Sequence, residues 1–285
     1  MTILKPMVVG GKPEWLKVRA STGDVFPKVR ETLRSCGLRT ICDSAHCPNL
    51  GYCWSLGHAT FLILGRTCTR SCAFCAVDHG VPEPLDREEP MRIASAVAEL
   101  GLKHVVITSV TRDDLPDQGA GQYRAVVDAI HSEHPSASIE LLIPDMRASE
   151  DDLRSIVESG PDVLGHNIET VRRLQDIRDP RSTYEGTLET LRTIRRLDPY
   201  MVTKSSLMLG LGERYDEVIE TLGDLRKAGT ETVVMGQYLR PRNGLLEVHE
   251  YVHPEIFQRL SKEAQDLGFR HVASGPLMRS SFPTL

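Results

Sequence analysis

Aromatic side chains are scarce in this chain of 285 residues: six Phe, seven Tyr and two Trp make up 5% of it, against 40% apolar residues overall. A core built from such a chain is aliphatic, and the apolar share is that of a globular protein rather than a disordered one. Long hydrophobic runs are missing. The longest apolar stretch covers residues 59–65, far short of the roughly 20 residues that cross a bilayer. The first ten residues have neither the apolar region of a secretory signal nor the Arg/Ser-rich pattern of a transit peptide, so a cytoplasmic location is expected. There is no excess of positive charge either: 34 Lys and Arg against 39 Asp and Glu give a formal net charge of −5, which argues against broad nucleic-acid binding. Internal repeats are absent apart from a strand–helix rhythm.

Cysteine is the residue that is concentrated. Of seven, an odd number, six fall between Cys42 and Cys75 at close spacings. That pattern suits a metal site in a reducing compartment better than a disulfide framework. Cys36 is left over, on the apolar face of an expected helix near 24–36, and reads as a small buried residue.

From about residue 61 short apolar runs alternate with stretches of helical period. Strands are expected at 61–64, 104–109, 138–143, 162–168, 202–209 and 232–238. Helical faces follow them, for example Ile93, Ala96, Val97 and Leu100, or Val218, Leu222 and Leu225, and Gly101, Gly160 and Gly229 stand where helices stop. Six β-then-α units imply parallel strands with right-handed crossovers. They are too few for an eight-stranded barrel, and no glycine-rich phosphate loop follows the first strand, so the expected fold is α/β, a partial (β/α)6 barrel of the TIM type. Residues 1–57 are an N-terminal extension carrying the first cysteines, 58–268 the barrel, and 269–285 a short C-terminal tail.

The second cysteine group, Cys68, Cys72 and Cys75, is spaced C-x3-C-x2-C directly after the first strand, at the end where barrels carry their chemistry. Three thiolates on one tight loop can bind three irons of a [4Fe–4S] cluster and leave the fourth open, unlike a ferredoxin cluster closed by a fourth cysteine. A structural zinc loop lacks an evident fourth ligand. The spacing, with Phe74 before the last cysteine, resembles the signature of radical S-adenosylmethionine enzymes. The first group, Cys42, Cys47 and Cys53, is spaced C-x4-C-x5-C. From spacing alone it fits a second cluster or, with His46, a zinc ion.

Both cysteine motifs in this order, the link at 59–65 and a C-terminal Arg279-Ser280-Ser281 together resemble the lipoyl synthase family over nearly the whole chain. The resemblance implies two [4Fe–4S] clusters, the second an auxiliary cluster on Cys42, Cys47 and Cys53 with a tail serine, Ser281 in preference to Ser280, as fourth ligand. It implies insertion of two sulfurs at C6 and C8 of a protein-bound octanoyl-lysine, with the auxiliary cluster as sacrificial donor. Implied partners are octanoylated lipoyl-carrier domains of 2-oxoacid dehydrogenase or glycine-cleavage type, a flavodoxin or ferredoxin reductant and an iron–sulfur carrier protein. The family motif ends in Tyr, where this chain has Phe282.

The same resemblance places S-adenosylmethionine at the strand ends. Thr108 and Ser109 would meet the methionine amino group, Asn167 or Glu169 the ribose and Arg178 the carboxylate, while Lys204 and Ser206 lie on the fifth strand. Gln237 and Leu239, with Gly210, Gly212 and Glu213, would frame the adenine; the plainer alternative is that these glycines turn the chain into a helix. Asp113 and Asp114 read equally well as solvated loop charges, and His58, His79, His104 and His249 as structural. Rival readings are a biotin-synthase-like sulfur inserter, which should lack C-x4-C-x5-C, and a non-catalytic metal-binding or electron-transfer protein.

Overall fold

The computed structural model describes residues 11–18 and 25–282. Its helices are α1 (Val25–Ser35), α2 (Ile41–Ser44), α3 (Leu50–Ser55), α4 (Glu89–Leu100), α5 (Ala120–Glu133), α6 (Glu150–Val157), α7 (Tyr184–Leu197), α8 (Tyr215–Lys227) and α9 (Pro254–Asp266). Its strands are β1 (Arg39–Thr40), β2 (Thr60–Ile63), β3 (Thr67–Cys68), β4 (Asp78–His79), β5 (His104–Ser109), β6 (Ser138–Leu142), β7 (Val163–Gly165), β8 (Val202–Leu209), β9 (Thr232–Gln237) and β10 (His271–Gly275). The expected helix near 24–36 is α1, although residue 24 lies outside the described part of the chain.

One sheet carries the order β1-β2-β5-β6-β7-β8-β9-β10. Strands β2 and β5 to β10 run parallel in chain order, and β1 adds an antiparallel edge on β2. Helices α4 to α9 make the six crossovers, so the β-then-α count from sequence holds. The sheet is not closed by hydrogen bonds among the described residues, as a partial barrel requires. The structure differs at the C-terminus: a seventh parallel strand, β10, carries the sheet past residue 268. Its sequence, His-Val-Ala-Ser-Gly, has one β-branched apolar residue and is half-buried at the sheet edge, so neither alternation nor an apolar run announces it.

Side chains alternate across the sheet with period two. Val105, Ile107, Ile139 and Leu141 are fully buried and pack into one cluster with α4 and α5, while Val233 and Met235 join a second cluster with α8 and α9. Fully burying an aliphatic side chain of this size stabilises by roughly 1.5–3 kcal/mol, so the outer face holds the fold. The alternate positions, Thr108, Leu142, Ser206, Val234 and Gly236, line an interior cavity instead. Helix ends follow local chemistry: α4 starts with Pro90 in its first turn and stops at Gly101, whose φ of 62° is left-handed.

After β10 the chain turns back over β9. A Cβ on Gly236 would stand 2.1 Å from the Met278 carbonyl oxygen, so only glycine permits this approach. Asn49 Nδ2, on the N-terminal extension, donates to the Leu277 carbonyl at 2.6 Å, which ties that segment to the turn after β10. Substituting Gly236→Ala should therefore speed amide hydrogen exchange at 277–282 while β5 and β6 keep their protection; equal exchange in both proteins would mean the tail is not held by this approach.

Candidate functional site

The exit of β2 positions the second cysteine group. Leu64 and Gly65 both adopt left-handed angles, φ 69° and 96°. For Leu64 the conformation is held from both sides: its N–H donates to Glu89 at 3.0 Å and its carbonyl accepts from Arg112 at 3.1 Å. The chain then forms a loop closed at its base by the β3–β4 pair, where the Gly80 N–H donates to the Cys68 carbonyl.

Arg70 anchors the loop from within. Its guanidinium, 5% exposed, donates to Asp113 at 2.9 and 3.0 Å, to Asp145 at 2.5 and 2.9 Å and to Ser182 at 2.8 Å. Burial alone would raise the Asp113 carboxyl, but hydrogen bonds from Arg70 and Thr69 hold it at about 2. Asp113 is thus a buried partner rather than a solvated charge, while the more exposed Asp114 pairs with Arg112. Backbone donors reach the sulfurs: Arg70 and Thr111 N–H to Cys68 Sγ at 3.4 and 3.3 Å, and Asp179 N–H to Cys72 Sγ at 3.3 Å. Such bonds stabilise thiolate ligands and tune a cluster.

In the first group Thr40 caps α2, accepting from the Asp43 N–H at 3.2 Å, and Cys42 sits inside that turn. His46 takes φ 48°, the Cys47 N–H donates back to the Cys42 carbonyl, and α3 brings Cys53 round. Burial, with Cys42 and Cys47 close by, pushes the Cys53 thiol up to about 12. Burial, with Cys72 and Cys68 close by, does the same to Cys75. Thiols in such places give up their protons only to a compensating cation, which is what a bound iron cluster supplies. Among the described residues no three His, Cys, Asp or Glu side chains converge on the position of a single metal ion. A cubane needs no such convergence, because each thiolate meets a different iron.

Three adjoining cavities connect the two groups. A small one of about 30 Å³ lies among Cys42, Cys47, Cys53, Arg279, Ser281 and Phe282. A larger one of about 360 Å³ shares Cys42, Cys47, Arg279 and Ser281 with it and extends to Phe74, Cys75, Asn167 and Glu169. The third, about 180 Å³, shares those last four residues and is also lined by Cys68, Cys72, Ser109 and Arg178. Thr108 borders the second and third, and Ser206, Gln237 and Leu239 the second. The two triads therefore face a common interior.

Most of the sequence-expected residues meet here, with differences in what they do. Glu169 takes φ 66°, fixed by the Glu169 N–H to the Ser206 carbonyl (3.0 Å) and the Met208 N–H to the Glu169 carbonyl (2.8 Å), and burial raises its carboxyl. Arg178 lines the third cavity but donates to Thr187 and Gln175 at 3.0 and 3.1 Å; burial lowers its guanidinium, opposed by Glu169. Gln237 is committed to the backbone of Tyr238, Glu250 and Val252. Glu213 accepts from Gly210 and Leu211 N–H at 2.6 and 2.8 Å and lines none of the three cavities. Lys204 also lines none of them: its ammonium is bound to Glu140 and to the Phe282 carbonyl. Of the two serines only Ser281 borders the small cavity; both border the larger one.

Sequence reasoning passes over Arg70, although it lies inside C-x3-C, because its partners Asp113 and Asp145 are 43 and 75 residues away. Arg279 stands out in the sequence only as part of a motif. In the structure its guanidinium is pushed down by burial, against which Cys47 and Cys53 act. His58 and His104, read as structural, border the small cavity.

Comparison with known proteins agrees with this arrangement. The profile of the Radical SAM superfamily matches residues 62–225. A curated lipoyl synthase from Caldanaerobacter subterraneus subsp. tengcongensis is 48% identical over 95% of this chain and 95% of its own length. Another from Pyrobaculum calidifontis is 50% identical over 95% and 94%. Among solved structures, a methylornithine synthase superposes with a TM-score of 0.59 over 75% of this chain and 63% of its own, at 15% identity, a likeness of fold alone.

Replacing Arg70→Met should cost about 3–5 kcal/mol in urea unfolding, because Asp113 and Asp145 are left buried without a cation. Arg92→Met, at a surface pair with Asp86, should cost at most about 1 kcal/mol. Asp113 also has a pH signature. Its folded pKa is depressed, so its contribution is complete above about pH 4 and is lost as the pH falls toward 2. Asp113→Asn should flatten that limb of an acid titration of the metal-free protein.

Proposed function

From the premise that the chain belongs to the lipoyl synthase family, we propose a division of labour between its two cysteine triads. The protein is a radical S-adenosylmethionine enzyme, and its reaction inserts two sulfur atoms at C6 and C8 of an octanoyl-lysine on a lipoyl domain. A biotin-synthase-like inserter and a non-catalytic metal protein are not supported by these relatives. Cys68, Cys72 and Cys75 hold the [4Fe–4S] cluster that, with S-adenosylmethionine, supplies a hydrogen-abstracting 5′-deoxyadenosyl radical, and Cys42, Cys47, Cys53 and Ser281 hold a second that supplies sulfur.

The observation that carries this reading is the shared interior, with one triad at each side of it. A radical of this kind attacks any C–H bond in reach, so the protein has to position the substrate and exclude water. Arg70, through Asp113 and Asp145, keeps the Cys68–Cys75 loop at a fixed height over the strand ends. Thr108, Ser109, Asn167 and Glu169 offer polar groups beside it for S-adenosylmethionine, and Arg178 a cation. Phe74, Leu142, Leu207, Val234 and Leu239 give the larger cavity apolar walls suited to an eight-carbon chain. A serine oxygen is a harder donor than a thiolate, so Ser281 would make one iron of the second cluster unlike the three held by cysteine.

The finer assignments belong to the same proposal. The N-terminal segment that carries Cys42, Cys47 and Cys53 and the turn after β10 that carries Ser281 act together as a cover over the barrel, which runs through β10. The octanoyl carriers are of the 2-oxoacid dehydrogenase or glycine-cleavage type, electrons come from a flavodoxin or ferredoxin, and an iron–sulfur carrier renews the donor cluster. No helix among the described residues is long and apolar enough to cross a membrane, and a reducing cytoplasm would suit six ligand thiolates.

Anaerobically reconstituted protein given reductant, S-adenosylmethionine and an octanoyl-lysine peptide should yield peptide heavier by two sulfurs. About eight irons per chain are expected from two cubanes. Cys47→Ala should still form 5′-deoxyadenosine without thiolating the peptide, whereas Cys72→Ala should lose both. Wild-type thiolation by Cys47→Ala would remove the donor role from the first triad.

A further inference from the structure

Lys204 and Glu140 form an ion pair inside the barrel, 2% and 1% exposed at their side chains, with Nζ 2.7 Å from Oε1. They stand on β8 and β6, on either side of β7, where Gly165 is the residue paired with Lys204. A Cβ on Gly165 would lie 3.3 Å from the Lys204 carbonyl oxygen and 3.5 Å from its Cβ, so the backbone of β8 lies close against β7 here. A buried ion pair adds little stability over apolar residues of the same volume, and this one borders none of the three cavities. Its third partner is what distinguishes it. Nζ also donates to the Phe282 carbonyl at 3.0 Å.

That carbonyl follows directly on Ser281. The Phe282 N–H donates to the Arg279 carbonyl at 2.9 Å, closing a turn with Ser280 and Ser281 at its centre. Upstream, Asn49 holds the Leu277 carbonyl and Gly236 lets Met278 approach the sheet. Downstream, the hold from the barrel wall is Lys204. We infer that the Glu140–Lys204 pair is a positioning device for the C-terminal turn: Glu140 orients the ammonium, and the ammonium fixes the Phe282 carbonyl so that Ser281 stands at Cys42, Cys47 and Cys53. The inference rests on Ser281 as the fourth ligand of the donor cluster. It makes Lys204 a positioning residue rather than a contact of S-adenosylmethionine.

The test is the double variant Glu140→Gln/Lys204→Met, which removes the clamp without leaving a lone buried charge, compared with Ser281→Ala and wild type as reconstituted enzymes. The double variant should still cleave S-adenosylmethionine. Its Mössbauer spectrum should shift toward that of Ser281→Ala, and sulfur insertion should fall about ten- to a hundredfold, the worth of one hydrogen bond to a charged group. If Ser281→Ala is defective while the double variant matches wild type, the clamp is refuted and the serine ligand stands. If Ser281→Ala itself has the wild-type spectrum and activity, the serine reading fails and takes the clamp with it. S-adenosylmethionine cleavage that falls in step with insertion would return Lys204 to the cofactor site and overturn the inference.

Discussion

The interior of the barrel has to stay hollow while its outer face stays packed, and every functional feature depends on that constraint. Period-two alternation achieves it. On β5, β6 and β9 the outward positions are Val105, Ile107, Ile139, Leu141, Val233 and Met235, buried against helices. The inward positions, Thr108, Leu142, Val234 and Gly236 among them, leave a lined space, with Gly236 as the limiting case. A large aliphatic residue at Thr108 or Ser206 would add packing and fill the reaction chamber. The fold thus draws its stability from one face of the sheet and its chemistry from the other.

Charge inside the hollow is tolerated only where it is committed. Arg70 serves Asp113, Asp145 and Ser182, and Lys204 serves Glu140 and the tail. Both networks join segments distant in sequence, and each terminates at one cysteine group: Arg70 inside the Cys68–Cys75 loop, Lys204 at the turn that carries Ser281. Of the acidic residues near the second triad, Asp113, Asp145 and Asp179 are held by arginines, while Glu169 has no such pair and burial raises its carboxyl. In this protein buried ion pairs act as placement devices, a use that fits their weak net contribution to stability.

How far the sequence can be read follows from the range of the interactions involved. The six inner β-then-α units are legible because apolar periodicity is local, and β5 and β8 have the bounds that periodicity indicates. The thiolate groups are legible because their ligands are close in sequence. Strand β10 is not, since it gains its place by pairing with β9 rather than from its composition. Lys204 lies on the strand that periodicity assigns to it, and its ammonium is bound to Glu140 and the Phe282 carbonyl. Strand position gives its face, whereas its partners come from β6 and from a tail 78 residues on. Asp113 is hidden for the same reason, its worth lying in a guanidinium 43 residues away.

The central claim is that one triad makes a radical and the other gives up sulfur within one enclosed space. The most direct measurement is a single turnover with enzyme whose clusters have been rebuilt with heavy-isotope sulfide, in medium containing only natural sulfur. Both sulfurs in the thiolated peptide should then carry the heavy isotope. Product carrying natural sulfur would show that the sulfur does not come from cluster sulfide, and the role given to Cys42, Cys47, Cys53 and Ser281 would be contradicted.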